Sequence, residues 1–275
     1  MSVVVPTRNR AAYLAVALQS IRAQDIDEPY ELIVVDDAST DSTQDVARRA
    51  DARLIRQPEP RGPNAARNAG IEAASGALVV MVDDDVLAPQ GWLRAMRDGS
   101  RRHPEADVFG GPIRARFEGD APRSCGREEP PITTLDLGPT DRDAEAVWSA
   151  NIALRRETWQ QVGPFPEAAP IGGDEEEWLL AVRRSGRTIV YLADAWLEHR
   201  RAGADARLRS LVRSHYARGR NLRAWDARRG ETPALSRELR VLAGCAWHAA
   251  WRRCPQGLIM GAHSLGRTRE ALLPR

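Results

Sequence analysis

Three clusters of carboxylates carry the chemical potential of this sequence. Asp36-Asp37 follows the apolar run ELIVV, Asp83-Asp84-Asp85 follows ALVVMV, and Asp174-Glu175-Glu176-Glu177 follows two glycines. Carboxylates placed directly after apolar strands collect at the crevice where open α/β sheets bind ligands. Like charge at that density is costly unless a cation or hydrogen-bond donors offset it. Carboxylate oxygens suit hard divalent ions such as Mg2+ or Mn2+, and these ions commonly bridge to phosphates. The third cluster adds a candidate general base, because helical spacing turns only one or two of its side chains toward a common site. Structural roles stay open for each cluster: a solvated strand end, a charged turn, and acidic residues favoured at a helix start.

The elements that must position these groups are legible as alternating patterns. Strands are expected over Ser2–Pro6, Glu31–Val35, Ala52–Arg56 and Ala77–Val82, with helices through Tyr13–Ile21, around Val46 and over Ala65–Ala74. Continuous apolar strands separated by helices predict an α/β fold, its mostly parallel sheet covered by helices on both faces. Val108–Phe117 reads as a strand pair, and 118–143 as a long loop rich in Pro, Gly and charge. Order resumes at 147–154, followed by helices at Arg156–Val162 and up to Arg184, and a strand at Thr188–Leu192. Beyond Asp205 the reading is helical. Leu208, Leu211, Val212 and Leu222 make one stripe, Leu235, Leu239, Leu242 and Trp247 a second, and Leu258, Ile259 and Leu265 a third. The expected division is 1–204 and a basic helical extension at 205–275.

Composition narrows the class. Of 275 residues, 43% are hydrophobic and 28% charged, ordinary for a globular enzyme and too apolar for disorder. No run approaches the ~18 apolar residues of a membrane-spanning helix. The opening VVVPTRNR lacks the features of a secretory leader, and three scattered cysteines make no disulfide framework, so a cytoplasmic location is expected. All 40 basic residues are Arg. Residues 1–198 hold 23 of them against 33 acidic residues, whereas 199–275 hold 17 against 5. The basic tail needs an anionic partner, an anionic surface or the acidic front to balance it. Neither GxGxxG nor GxxxxGK[ST] occurs, which argues against dinucleotide redox chemistry and P-loop hydrolysis.

Five strings, VVVPTRNR, VVDDASTDST, ARNAGIEAASGALVVMVDDDVLAP, SANIALRRETW and GGDEEEWLLAVRRSG, stand in an order that resembles family 2 glycosyltransferases of the GT-A fold. The resemblance covers residues 2 to about 200. It implies that Pro6, Thr7 and Arg8 contact the nucleotide, that Asp37 accepts from the base (typically uracil N3–H), and that Arg67 lies near the phosphates. Asp83-Asp84-Asp85 resembles the DxD motif: Asp83 toward the ribose, Asp85 on the metal, Asp84 sharing either role. Asn151 would meet sugar hydroxyls, and His199 would be a third metal ligand or a pyrophosphate contact. Counting back from Gly186 places Glu175 at the catalytic-base position and Asp174 beside it, with the family's two carboxylate types swapped. The implied reaction is a metal-dependent, inverting transfer from a nucleoside-diphosphate sugar, UDP- or dTDP-linked, to an acceptor hydroxyl.

Two other functions stay open on the residues alone. A nucleotidyltransferase also uses metal-binding carboxylates on such a sheet, but wants a Gly-rich basic first loop, and PTRNR has no glycine. A non-catalytic sugar-nucleotide or glycan-binding relative of the fold is the other. For the tail, packing stripes compete with a peripheral contact at the inner face of a membrane, where Arg would meet anionic lipid. No nucleic-acid-binding module accompanies the arginines, so no nucleic-acid partner is expected.

Overall fold

The computed structural model describes residues 1–119, 131–167 and 175–273. The chain begins with β1 (Ser2–Thr7), α1 (Ala11–Arg22), β2 (Glu31–Asp36), α2 (Thr43–Arg49) and β3 (Arg53–Arg56). It continues through α3 (Pro63–Ala73), β4 (Leu78–Val82), β5 (Val86–Leu87) and α4 (Trp92–Arg102). Next come β6 (Val108–Gly110), β7 (Ile113–Phe117), β8 (Arg142–Asp143), β9 (Asn151–Arg155), α5 (Arg156–Val162) and α6 (Glu176–Arg184). After β10 (Ile189–Tyr191) and β11 (Leu197–Arg201), three long helices follow: α7 (Leu208–Arg229), α8 (Leu235–Arg252) and α9 (Pro255–Ala271). These elements make two compact units. The first holds residues 1–114, 134–167 and 175–199; the second holds 115–119, 131–133 and 200–273.

Among the described residues, the first unit carries a sheet ordered β3-β2-β1-β4-β9-β6-β10-β8. Strands β3, β2, β1 and β4 run parallel, and β9 enters antiparallel between β4 and β6. The chain steps outward from β1 to β3 and then returns to β4 on the other side of β1. That reversal opens a crevice beyond the carboxyl ends of β1 and β4, the place where such sheets bind ligands.

Alternate side chains along these strands pack into opposite layers, as strand periodicity requires. Val3, Val5, Leu32, Val34 and Val80 meet Leu14, Leu18 and Ile21 of α1 and Trp92 and Met96 of α4. Val4, Ile33, Val35, Val79 and Met81 meet Ile71 of α3 and Trp178, Leu179 and Val182 of α6. Each fully buried side chain of this kind is worth about 1.5–3 kcal/mol of burial, which holds the strand ends rigid. Gly70 lets α3 lie close against the sheet, since a Cβ there would stand 2.2 Å from Val4 Cγ1.

The second unit is tied together by buried charge. Arg267 on α9 donates to Glu238 on α8 and Asp226 on α7, both at 2.7 Å, and Arg223 lies 3.6 Å from Glu238. Among the described residues, no helix is long and apolar enough to cross a membrane.

The expected α/β architecture is present, with three local corrections. The strands read as a pair at Val108–Phe117 do form but do not pair together: β6 lies between β9 and β10. His199, which lies beyond the last expected strand at Thr188–Leu192, is inside β11, a strand whose sequence LEHRR carries little apolar signal. In the second tail stripe, Leu239 and Trp247 face water rather than a packed partner.

Candidate functional site

At the crevice, Thr7 ends β1 and Asp83-Asp84-Asp85 follows β4. The Thr7 hydroxyl donates to Asp84 Oδ2 at 2.7 Å, stitching the two strand ends together. Arg10 Nη2 donates to Asp85 Oδ2 at 2.8 Å, and its Nε lies 3.3 Å from Asp84 Oδ1. The same guanidinium stacks over Tyr13, 4.4 Å from the ring centroid. Strand β5 pairs antiparallel with β11, setting His199 opposite Val86. His199 Nε2 therefore reaches Asp85 Oδ1 at 2.9 Å, both residues being buried.

Asp83, Asp85 and His199 each offer a ligand atom, and these atoms lie within 4.8 Å of one another. Two carboxylates and an imidazole form a donor set that fits Mn2+ or Mg2+, the imidazole tilting the choice toward Mn2+. Asp84 is turned to a different purpose. Burial pushes its carboxyl up to about 7; Arg10 and the Thr7 hydroxyl oppose the shift, while Asp85 and Asp83 add to it. At about 7 this carboxyl is partly protonated near neutral pH, which eases the repulsion with Asp83 and Asp85 beside the guanidiniums of Arg10 and Arg67.

Arg67 reaches the crevice from α3. Its Nη1 donates to Asn64 Oδ1 at 2.8 Å and its Nη2 lies 3.7 Å from Asp83 Oδ1. Pro63 occupies the first turn of α3, a position where a missing N–H costs nothing. Before it, Gly62 takes φ +93°, which suits glycine, and donates its N–H to Asp37 Oδ2 at 3.0 Å. Arg61 N–H donates to Asp37 Oδ1 at 2.7 Å. Asp37 is thus buried and fixed by two backbone donors, with a lone pair left on each oxygen. Its neighbour Asp36 is fully buried and caps the turn through Ser39 N–H at 2.8 Å.

The expected residues do not all converge. Pro6 and Thr7 stand at the end of β1, but Arg8 is exposed. Asn151 departs from its expected sugar contact: it is fully buried, its Oδ1 accepts from Trp92 Nε1 at 2.9 Å, and its Nδ2 donates to Pro112 O and Ala195 O. With both amide hydrogens committed, it braces three segments beneath the cleft. Glu175 stands just before α6, nearly buried, with Ser149 N and Oγ 3.4 Å from its Oε1. Glu176 is half-buried and Glu177 exposed, so among the described acidic residues of this cluster Glu175 is the buried one. Asp174 lies outside the described residues. Arg200, next to His199, makes a two-pronged salt bridge to Glu118 within the second unit, at 2.9 and 2.8 Å. Arg10 is the site residue that the sequence reading passed over; its only signal was a second arginine two places after Arg8.

A family profile described as glycosyl transferase family 2 matches residues 2–162. Glycosyltransferase AglE of Haloferax volcanii is 26% identical over 201 residues, covering 70% of this chain and 64% of that protein. The pre-mycofactocin glycosyltransferase of Mycobacterium tuberculosis is 32% identical over 185 residues, covering 63% of this chain and 37% of its own length. The match thus spans less than two thirds of either relative. Among solved structures, the mannosyltransferase PcManGT from Pyrobaculum calidifontis in complex with GDP-Man and Mn2+ aligns at TM-score 0.65 and 21% identity, covering 98% of this chain and 86% of that one. S. aureus TarS 1-349 in complex with UDP-GlcNAc aligns at TM-score 0.56 and 22% identity, covering 79% and 65%. These likenesses establish the GT-A fold.

Proposed function

The chain belongs to glycosyl transferase family 2, and from that premise we propose that it moves a sugar from a nucleoside-diphosphate sugar to an acceptor hydroxyl. The observation that carries the reading is the convergence of Asp83, Asp85 and His199 at the mouth of the β1/β4 crevice. The reading places the catalytic domain in residues 1–204 and makes 205–275 a helical extension.

In this reading Asp83, Asp85 and His199 hold a divalent ion, Mn2+ or Mg2+. When bound, the ion offsets the charge that develops on the departing nucleoside diphosphate. Asp37, held still by Arg61 and Gly62, presents its remaining lone pairs to the imide N3–H of uracil or thymine, favouring a UDP- or dTDP-sugar. Arg67 and Arg10 supply fixed positive charge to the phosphates at no cost of reorganisation. Glu175 takes the proton from the acceptor hydroxyl as its oxygen attacks the anomeric carbon. The bond to the β-phosphate oxygen breaks on the opposite face, so configuration inverts. The GDP-Man and UDP-GlcNAc complexes of the two structural neighbours support the donor class, and the Mn2+ of the first supports the metal.

Titration calorimetry with UDP, dTDP and GDP, with and without Mn2+, tests the reading. The expected result is Mn2+-dependent binding of UDP or dTDP that is lost in Asp85→Ala. A folded protein that binds none of the three diphosphates would overturn it.

A further inference from the structure

The described large hydrophobic side chains left exposed to water are unevenly distributed. Apart from Leu180, all of them fall between Leu239 and Leu273 on α8, α9 and the residues just after. Trp247 and Trp251, one helical turn apart, are 63% and 71% exposed, and their rings stack with centroids 5.0 Å apart. Exposed Leu239, Ala243 and Ala250 extend the apolar surface along α8. Leu258 and Leu265 on α9 and Leu272 directly after it recur every seven residues, which aligns them along one side of the helix. Leu265 and Leu272 also line a groove of about 360 Å³ with Tyr216 and Arg269.

The charge on this stretch has one sign. Its exposed ionic groups are Arg237, Arg240, Arg252, Arg253 and Arg269. Its two carboxylates are withdrawn: Glu238 is buried against Arg267, and Glu270 pairs with Arg220. We propose that α8 and α9 form a docking face for an anionic phospholipid bilayer, lying on its surface through Trp247, Trp251 and the leucine line while the arginines meet lipid phosphates. Tryptophan rings favour the headgroup boundary, and arginine can keep its charge at that level while burying its stem. A helix pair that is apolar and cationic on its water-facing side, yet too short of apolar residues to cross, has the character of an interfacial anchor. A second copy of the chain is a poorer occupant, because a symmetric contact would set arginines against arginines with no exposed acid on this stretch to pair them. Nucleic acid would use the arginines and stack on the tryptophans, but would leave the leucine line in water. The inference stands independently of the sugar-transfer reading.

Flotation of the full chain with vesicles of phosphatidylcholine, alone or mixed with phosphatidylglycerol, provides the test. The protein is expected to float with the phosphatidylglycerol vesicles, to do so less in high salt, and to float weakly with phosphatidylcholine. The double variant Trp247→Ser, Trp251→Ser should lower the partition coefficient about tenfold or more, and Leu180→Ser should leave it unchanged. Circular dichroism confirms that each variant is folded. Failure of the folded wild type to float with anionic vesicles would overturn the proposal. So would a dimer in sedimentation velocity that the double tryptophan variant dissolves, or binding to single-stranded RNA in place of vesicles.

Discussion

Arg10 Nη2 donates to Asp85 Oδ2 at 2.8 Å while His199 Nε2 reaches the other oxygen, Oδ1, at 2.9 Å. A single buried carboxylate is therefore claimed on one side by a permanent cation and on the other by a metal-type ligand. Arg10 supplies part of the countercharge that a divalent ion would otherwise provide alone. Replacing it by an apolar side chain of similar length should leave the aspartates more dependent on the ion. Arg10→Met is expected to lower the melting temperature without metal by about 2–4 °C, equivalent to roughly 1 kcal/mol at this size. Added Mn2+ should then raise it by more than in the wild type. Differential scanning fluorimetry with and without Mn2+ reads both values, and equal Mn2+ shifts would count against this role.

Among the described acidic residues of its cluster Glu175 is the buried one, whereas Glu177 is exposed. Glu175→Gln keeps the shape and removes the basic oxygen. Turnover should fall roughly 10²–10⁴-fold, the usual worth of a positioned base, while UDP affinity by calorimetry stays near wild type. Glu177→Gln should leave turnover within about twofold. Retained turnover in Glu175→Gln would move the base elsewhere.

Glu238 compensates Arg267 and faces Arg223, and all three are buried. Truncating it to alanine leaves Arg267 with the carboxylate of Asp226 and takes the carboxylate away from Arg223. The expected cost is about 3–5 kcal/mol, the penalty for breaking a buried ion pair from one side. Urea unfolding followed by circular dichroism measures it. The loss should be confined to the helical unit if UDP binding persists at low urea.

Burial, together with the nearby charges of Arg267, His215 and Arg218, holds the His263 imidazole down at about 4, against an ordinary 6.5. Between those values the unfolded chain takes the proton and the folded chain does not. The contribution to stability is therefore intact above pH 6.5 and lost as the pH falls toward 4. A series of melting temperatures from pH 7 to 4 should decline for the wild type and decline less for His263→Gln. Parallel curves would assign the acid sensitivity to other groups.

Much of the frame was legible because parallel strands must be apolar on both faces. ELIVV and ALVVMV announce β2 and β4, and the carboxylates directly after them fall at the crevice as chain direction dictates. What escaped depends on pairing between distant segments. LEHRR carries too few apolar residues to read as a strand, yet it becomes β11 because β5 supplies its partner. Asn151 looked like a polar residue free to meet a ligand, and only the tertiary neighbours Trp92, Pro112 and Ala195 reveal that its amide is fully engaged. Arg10 was hidden for the reverse reason: in a loop of alternating polar residues, nothing local distinguishes it from exposed Arg8.

The antiparallel register that sets His199 beside Val86 also has a temporal meaning. Asp83 and Asp85 leave the ribosome more than a hundred residues before His199. Until β11 docks, the early part of the chain presents its aspartates without the imidazole. If Asp83, Asp85 and His199 hold an ion, its binding and the docking of β11 draw on the same free energy, so each favours the other. On that reading a three-residue grip on an ion waits for β11 to pair with β5, so the earlier part of the chain would have little hold on metal before this strand docks.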